Sequence, residues 1–288
     1  MTKQDTLRRF LFEELGIRGE LVQLNTCWQE AKQHQSLTPR YQEVLGHALA
    51  SVVMLSATIK FEGAIILQVQ GNGQVKTLVA QATHDRKIRG LIRQHSDNSE
   101  NPNSLFGEGQ LIITIAPTVG EAYQGVVSIN NDQLNTALEN YFIHSEQLNT
   151  RLWLFADGTH AAGLLLQEIP SKVRDQEDWA RLCMLADTLT SHELFKLDAE
   201  DVLFRLFNQE KVRVFDEESV SFECSCSTQK IAKALYAMGR EELEGIIEER
   251  GTIEVICEFC NAHFYFDQID VERIVTDQEL MAISPTLH

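Results

Sequence analysis

Four of the six cysteines stand in two tight pairs, Cys224-Ser-Cys226 and Cys257-Glu-Phe-Cys260, with 30 residues between the pairs. This spacing constrains the chain more than any other feature. Zinc takes four soft donors in a tetrahedron, about 2.3 Å from each sulfur, and two close thiol pairs delivered by one intervening segment provide that set. The expected centre, Cys224, Cys226, Cys257 and Cys260 around one zinc ion, is closed. Four thiolates leave no position for a metal-bound water, which argues against hydrolytic chemistry. His263, three residues beyond Cys260, is an alternative ligand, although four sulfurs already complete the coordination.

Two roles stay open for such a centre. Most four-cysteine sites are structural. Against that, Cys-x-Cys is tighter than the commoner spacing, and four thiolates form an electron-rich, oxidisable cluster. Closing either pair into a local disulfide removes ligands and ejects the metal, withdrawing a folding contribution on the order of 10 kcal/mol in small zinc domains.

The rest of the chain sets the context. A length of 288 residues suggests about two domains, and 43% hydrophobic with 23% charged residues describes an ordinary globular protein. Lys and Arg number 25 against 42 Asp and Glu, a net charge of -17, which repels phosphate backbones and makes nucleic acid a poor partner. The N-terminus has no signal-peptide core and no segment approaches the apolar length of a membrane span, so the expected location is cytoplasmic, with no membrane partner. Thiols are kept reduced there, and the cysteine pairs are expected to hold metal at rest.

Periodicity predicts strands over 7–24 broken near Gly16 and Gly19, then a helix capped by Asn25 or Thr26. Thr38-Pro39 starts a long helix with Val44, Ala48, Val52, Leu55 and Ile59 on one face, and its other face is apolar enough for a central buried helix. Strands follow at Ala64–Gln70, Val75–Ala82 and Lys87–Arg93. Gly71-Asn-Gly73 reads as a turn rather than a phosphate cradle, because a strand follows it where a nucleotide loop needs a helix. His95–Ser104 is an exposed loop, strands resume at Leu111–Ala116 and Ala122–Ile129, a helix runs over 132–141, and Arg151–Ala156 pairs with Ala161–Gln167 across Asp157-Gly158.

From Gln176 to Glu210 the pattern turns helical, with Trp179, Leu182, Cys183, Ala186 and Leu189 on one stripe and Asp198 capping a second helix bearing Val202, Leu203, Leu206 and Phe207. These stripes are either ordinary core or a detachable cover over a binding surface. In the last segment Ser227 caps a helix ending at Gly239, Arg240–Arg250 forms another stopped at Gly251, and strands flank Cys257 and Cys260. Asp267 caps a helix to about Val275, and Thr276-x-x-Glu279 suggests a separate last one. Cys27 and Cys183 read as small buried hydrophobes.

The fold class expected is α+β: an N-terminal domain of antiparallel strands with a long buried helix (1–175), a helical linker (176–215) and a small C-terminal four-cysteine zinc domain (216–288). That arrangement, with Leu67-Gln-Val-Gln-Gly-Asn-Gly73, Ile88-Arg-Gly-Leu91 and Ala162-Gly-Leu-Leu-Leu-Gln167, resembles the heat shock protein 33 family of redox-regulated bacterial chaperones. The resemblance implies no enzyme but an ATP-independent holdase, inactive while reduced and zinc-bound. It further implies that oxidants pair Cys224 with Cys226 and Cys257 with Cys260 and release zinc. The linker then unfolds, a homodimer forms, and unfolding client proteins are bound. Two other readings compete: a thiol-disulfide oxidoreductase using Cys257 and Cys260, and a structural zinc-ribbon adaptor. Lys230, Lys233, Arg240 and Arg250 lie among many glutamates, which disfavours an adaptor for nucleic acid.

Overall fold

β1 (Thr6–Phe12) and β2 (Ile17–Leu24) pair antiparallel, with Leu7 opposite Val22 and Phe10 opposite Gly19. Alternation sends their side chains to two different cores. Leu7, Val22 and Leu24 enter one, while Phe10, Phe12, Ile17 and Leu21 enter another on the opposite face. A Cβ at Gly19 would lie 2.0 Å from the Phe10 ring, so only glycine lets that ring lie flat on the sheet.

α1 (Thr26–Lys32) precedes α2 (Pro39–Ser56), in which every residue from Val44 to Ser56 except His47 is buried. Proline at its first position needs no intrahelical partner for the missing N–H. The helix is apolar all round because it packs against both sheets of this unit. Partial burial pushes the His47 imidazole down to about 4, so it is neutral at the edge of the core.

β3 (Gly63–Gln70), β4 (Val75–Thr83), β5 (Lys87–Gln94), β6 (Gly109–Pro117) and β7 (Tyr123–Ile129) form a meander-based sheet. Gly71 and Gly73 lie in the turn between β3 and β4, where an added Cβ would come within 2.1 Å of the Phe106 carbonyl and 2.7 Å of those of Ser104 and Leu105. The glycines thus admit a neighbouring backbone, as the turn reading requires. α3 (Leu134–Tyr141), prolonged by a π-helical turn at Phe142–Glu146, leads to β8 (Thr150–Ala156) and β9 (Ala161–Glu168). Asp157 Oδ1 closes their connection by accepting from the Thr159 and His160 N–H groups, both at 2.6 Å.

The helical stretch contains three helices, α4 (Gln176–Ala186), α5 (Ser191–Lys196) and α6 (Ala199–Phe207), rather than two. α5 carries a complete capping box between Thr190 and Glu193, enough to start a helix of six residues. β10 (Arg213–Ser219) and β11 (Ser221–Phe222) were not expected at all. β10 pairs with β1, giving a sheet ordered β10-β1-β2-β9-β8, and β11 runs parallel to β5 in a sheet ordered β11-β5-β4-β3-β6-β7.

A second unit holds α7 (Thr228–Tyr236), α8 (Arg240–Arg250), the hairpin β12 (Ile253–Ile256) and β13 (His263–Phe266), and α9 (Gln268–Ile283). α9 corrects the expectation of two helices: it runs unbroken through Thr276, since no glycine or proline interrupts it and a capping-box sequence needs a break in the chain to act as one. The fold is α+β with antiparallel sheets and a four-cysteine group near the C-terminus, as expected.

The computed structural model describes residues 5–58, 62–95, 104–129, 132–170 and 176–283. Ile59, most of the loop expected over 95–104, and the junction at 171–175 lie outside them. The two compact units are Met1–Glu223 and Cys224–His288, so the strand β10 within 213–219 belongs to the first unit. No helix among the described residues is long and apolar enough to cross a membrane.

Candidate metal centre

Among the described residues the second unit buries Leu235, Leu243, Ile253, Phe266, Val271 and Val275 in one cluster, with partly buried neighbours such as Ile231, Ile247 and Phe264 packed on it. Its helices are marked by local signals. Ser227 accepts from the Lys230 N–H at the start of α7, and Gly251, with φ of 77°, ends α8 in the left-handed region. A core this small for some 60 residues leaves a deficit that a metal can make good.

Cys224 and Cys226 lie on the extended segment before α7. Cys257 follows β12, and Cys260 ends the tight turn that leads to β13, where the Cys257 N–H donates to the Ala262 carbonyl at 2.9 Å and the Asn261 N–H to the Cys257 carbonyl at 2.7 Å. The four sulfurs come within 4.8 Å of one another. Cys224 Sγ is 3.6 Å from Cys257 Sγ, and Cys226 Sγ is 3.5 Å from Cys260 Sγ. Zinc–sulfur bonds of about 2.3 Å at tetrahedral angles require sulfurs about 3.8 Å apart, so the group has the size to hold such an ion. These contacts are far longer than the roughly 2.05 Å of a disulfide.

The electrostatics are those of thiols crowded together. At Cys224 burial opposes ionisation, but donation from the Cys226 backbone N–H and from neighbouring thiols outweighs it and the pKa falls. Cys226 is pushed up by burial and then by the neighbouring sulfurs, while Cys260 is pushed up by burial against an opposing hydrogen bond from the Ala262 backbone. A central dication would favour the thiolate of all four.

His263 does not join the group. Its Nδ1 lies 2.7 Å from Glu254 Oε1 on the facing strand, and its ring stacks on Tyr265. The Cys257–Cys260 turn sits between two strands, so it lacks the helix N-terminus that lowers thiol pKa in dithiol oxidoreductases. Cys27, 2% exposed, lies 3.1 Å from Asp5 Oδ1, and burial raises its pKa. Cys183, 6% exposed on α4, is pushed up to about 11, chiefly by burial. Both thiols are held in the unreactive form.

The first unit carries the other notable feature. α4, α5 and α6 cover the face of the five-stranded sheet that bears Phe10, Phe12, Ile17, Leu21, Leu164 and Leu166. Phe207 of α6 packs edge-on against Phe12, with centroids 5.1 Å apart, and lies 6.2 Å from Phe10. Polar contacts tie the cover to the sheet and its own helices to one another. Gln23 Nε2 donates to the Leu194 and Leu197 carbonyls, Trp153 Nε1 to Asp187 at 2.9 Å, and Arg181 binds Asp178 and Glu210. Helical periodicity could find the apolar stripes, but no local signal marks Gln23 as their anchor.

Known proteins share this arrangement. A profile of the Hsp33 protein family matches residues 5–267. The 33 kDa chaperonin of Nitrosococcus oceani is 48% identical over 289 residues, covering 100% of both chains. That of Shewanella oneidensis is 43% identical over 273 residues, covering 94% of this chain and 96% of its own. The crystal structure of a 33 kDa chaperonin from Thermotoga maritima has the same fold at a TM-score of 0.82 and 22% identity, covering 96% of this chain and 99% of that one. With a family profile spanning nearly the whole chain and a full-length relative at 48% identity, the chain belongs to the Hsp33 family.

Proposed function

We infer that this Hsp33-family chaperone is a redox-switched, ATP-independent holdase of the cytoplasm, and the observation that carries the inference is the convergence of four thiols in a small unit. In the reduced state Cys224, Cys226, Cys257 and Cys260 hold one zinc ion, which supplies cross-linking rather than reactivity. Oxidation pairs Cys224 with Cys226 and Cys257 with Cys260. Each disulfide passes two electrons to the oxidant, so two hydrogen peroxide molecules become four waters as both close.

Pairing within each motif has a physical consequence that pairing between motifs lacks. A Cys224–Cys257 or Cys226–Cys260 disulfide would staple the two arms and keep the unit closed. Disulfides within each motif abolish all four ligands and leave no cross-link between the arms, so the unit loses its main support. The linker helices then leave the sheet, which uncovers an apolar face rimmed by Phe10, Phe12 and Leu166 for unfolding clients. The opened protomers associate as a homodimer. Turnover is not expected, and a dithiol oxidoreductase is the reading this one displaces.

Zinc release to a chromogenic chelator during peroxide or hypochlorite treatment, with light scattering of a heat-unfolded client in the same samples, tests the reading. Release and suppression of aggregation should rise together and reverse with reductant. Zinc that stays bound, or leaves without any gain in holdase activity, would sink it.

A further inference from the structure

β10 is attached in an unusual way for a strand. Its pattern from Arg213 to Ser219 is largely exposed, and it does not alternate apolar with polar. Backbone pairing joins it to the edge of β1, and the side-chain contribution is charge rather than apolar packing. Glu217 lies opposite Arg8 in the register and binds it at 3.1 Å, while Glu218 meets Arg9 at 2.7 Å and Arg86 at 2.9 Å. Because adjacent strand residues point to opposite faces, the consecutive carboxylates straddle the sheet edge, Glu217 meeting Arg8 on one side and Glu218 meeting both Arg9 and Arg86 on the other. Phe215 sits under Arg9 and Arg213, at 5.6 and 5.0 Å, and its carbonyl accepts from Arg8 at 3.0 Å.

The half-exposed Arg9 pair is weak and screened by salt, whereas the Arg8 and Arg86 pairs engage side chains that are largely out of water. Removing β10 leaves the hydrogen-bonding edge of β1 open and three guanidinium groups, two of them in largely buried side chains (16% exposed for Arg8 and 9% for Arg86), without these carboxylates. Arg8 keeps only its longer contact to Glu200 at 3.8 Å, and Arg86 keeps only the neutral Ser56 and His84 acceptors. An unpaired edge recruits another strand, and arginines short of carboxylate partners choose an acidic one.

We propose that the outer edge of β1 is a strand-addition site for extended client segments that carry an aromatic residue and consecutive carboxylates, with β10 as its resting occupant. Resting on the switch described above, this assigns part of the client specificity to the backbone edge and its arginines, alongside the apolar face. β10 lies between the linker and Cys224, so opening of the linker frees it.

The test uses the full chain, reduced and zinc-loaded, with Glu217→Lys and Glu218→Lys to detach β10 without oxidation. The probe is a fluorescein-labelled peptide of residues 211–220, Lys-Val-Arg-Val-Phe-Asp-Glu-Glu-Ser-Val, read by anisotropy. It should bind the variant about tenfold or more tightly than it binds reduced wild type. Binding should weaken as salt rises, and a peptide with both glutamates changed to lysine should lose it. Hydrogen exchange shows that β10 is free while β1 and β2 stay protected, and if the double variant does not fold, a Gly/Ser replacement of 213–219 serves instead. A freed edge that takes the acidic peptide no better than the lysine peptide would overturn the proposal. Wild-type zinc release and client scattering judge the redox reading separately, since the variant needs no oxidant.

Discussion

Replacing Phe207 with alanine tests the cover where it is most deeply inserted. The ring is 1% exposed and contacts Phe10 and Phe12 on the sheet. Truncating a buried phenylalanine costs about 3–5 kcal/mol, from lost transfer energy and the cavity left behind. Most of that cost falls on the docked state of α4, α5 and α6, since the contacts it removes join α6 to the sheet. At about 1.4 kcal/mol per decade, even 3 kcal/mol raises the undocked population by roughly two orders of magnitude. Phe207→Ala should therefore bind clients in reducing buffer with zinc still in place. Hydrogen exchange of the linker amides should show lost protection over 176–207, while light scattering shows partial suppression of client aggregation without oxidant. Normal linker protection would refute the packing argument. Lost protection with no holdase gain would refute the assignment of the covered face as a client surface.

Other outcomes follow from the same structure. Glu20 is 2% exposed and its carboxyl is pushed up to about 7, by burial against the opposing pull of Arg18, Arg9 and Arg86. An acid raised in the folded state destabilises the fold when ionised, so stability is lowest above about pH 7 and recovers as pH falls toward the ordinary value of 4.5. Glu20→Gln should raise the melting temperature above pH 7 and flatten that profile, and an unchanged profile would contradict the assignment. Stripping the metal with a chelator in reductant should lower the thermal stability of the 224–288 unit selectively, monitored by hydrogen exchange. His263→Ala should leave the zinc content unchanged, because its imidazole binds Glu254 rather than the sulfurs. Cys183 should resist iodoacetamide while α4 is docked and react once the linker opens, followed by mass spectrometry; labelling at equal rates in both states would argue that α4 never leaves.

Local signals made much of this legible. The cysteine spacing picked out the four thiols that the structure gathers within 4.8 Å of one another, and Ser227, Gly239 and Gly251 bounded the neighbouring helices, because caps act through residues near in sequence. Apolar runs bounded by turn residues gave the strands of both sheets apart from β10 and β11, and the all-round apolar α2 announced its place between them. Three things needed the tertiary structure. Arg213–Ser219 is a strand because β1 offers it backbone partners and Arg8, Arg9 and Arg86 receive its carboxylates, so no apolar alternation was there to read. α9 continues through Thr276 because a capping sequence acts only where the chain already breaks. His263, as near in sequence to Cys260 as a ligand would be, turns to Glu254 because the register of β12 and β13, with His263 opposite Ile256 and Tyr265 opposite Glu254, makes them diagonal neighbours on one face. Composition and spacing determine which residues can bond to metal or enter a core. Which of them meet is decided by pairing between segments far apart in the chain, where the energy of each contact depends on a partner that no local pattern names.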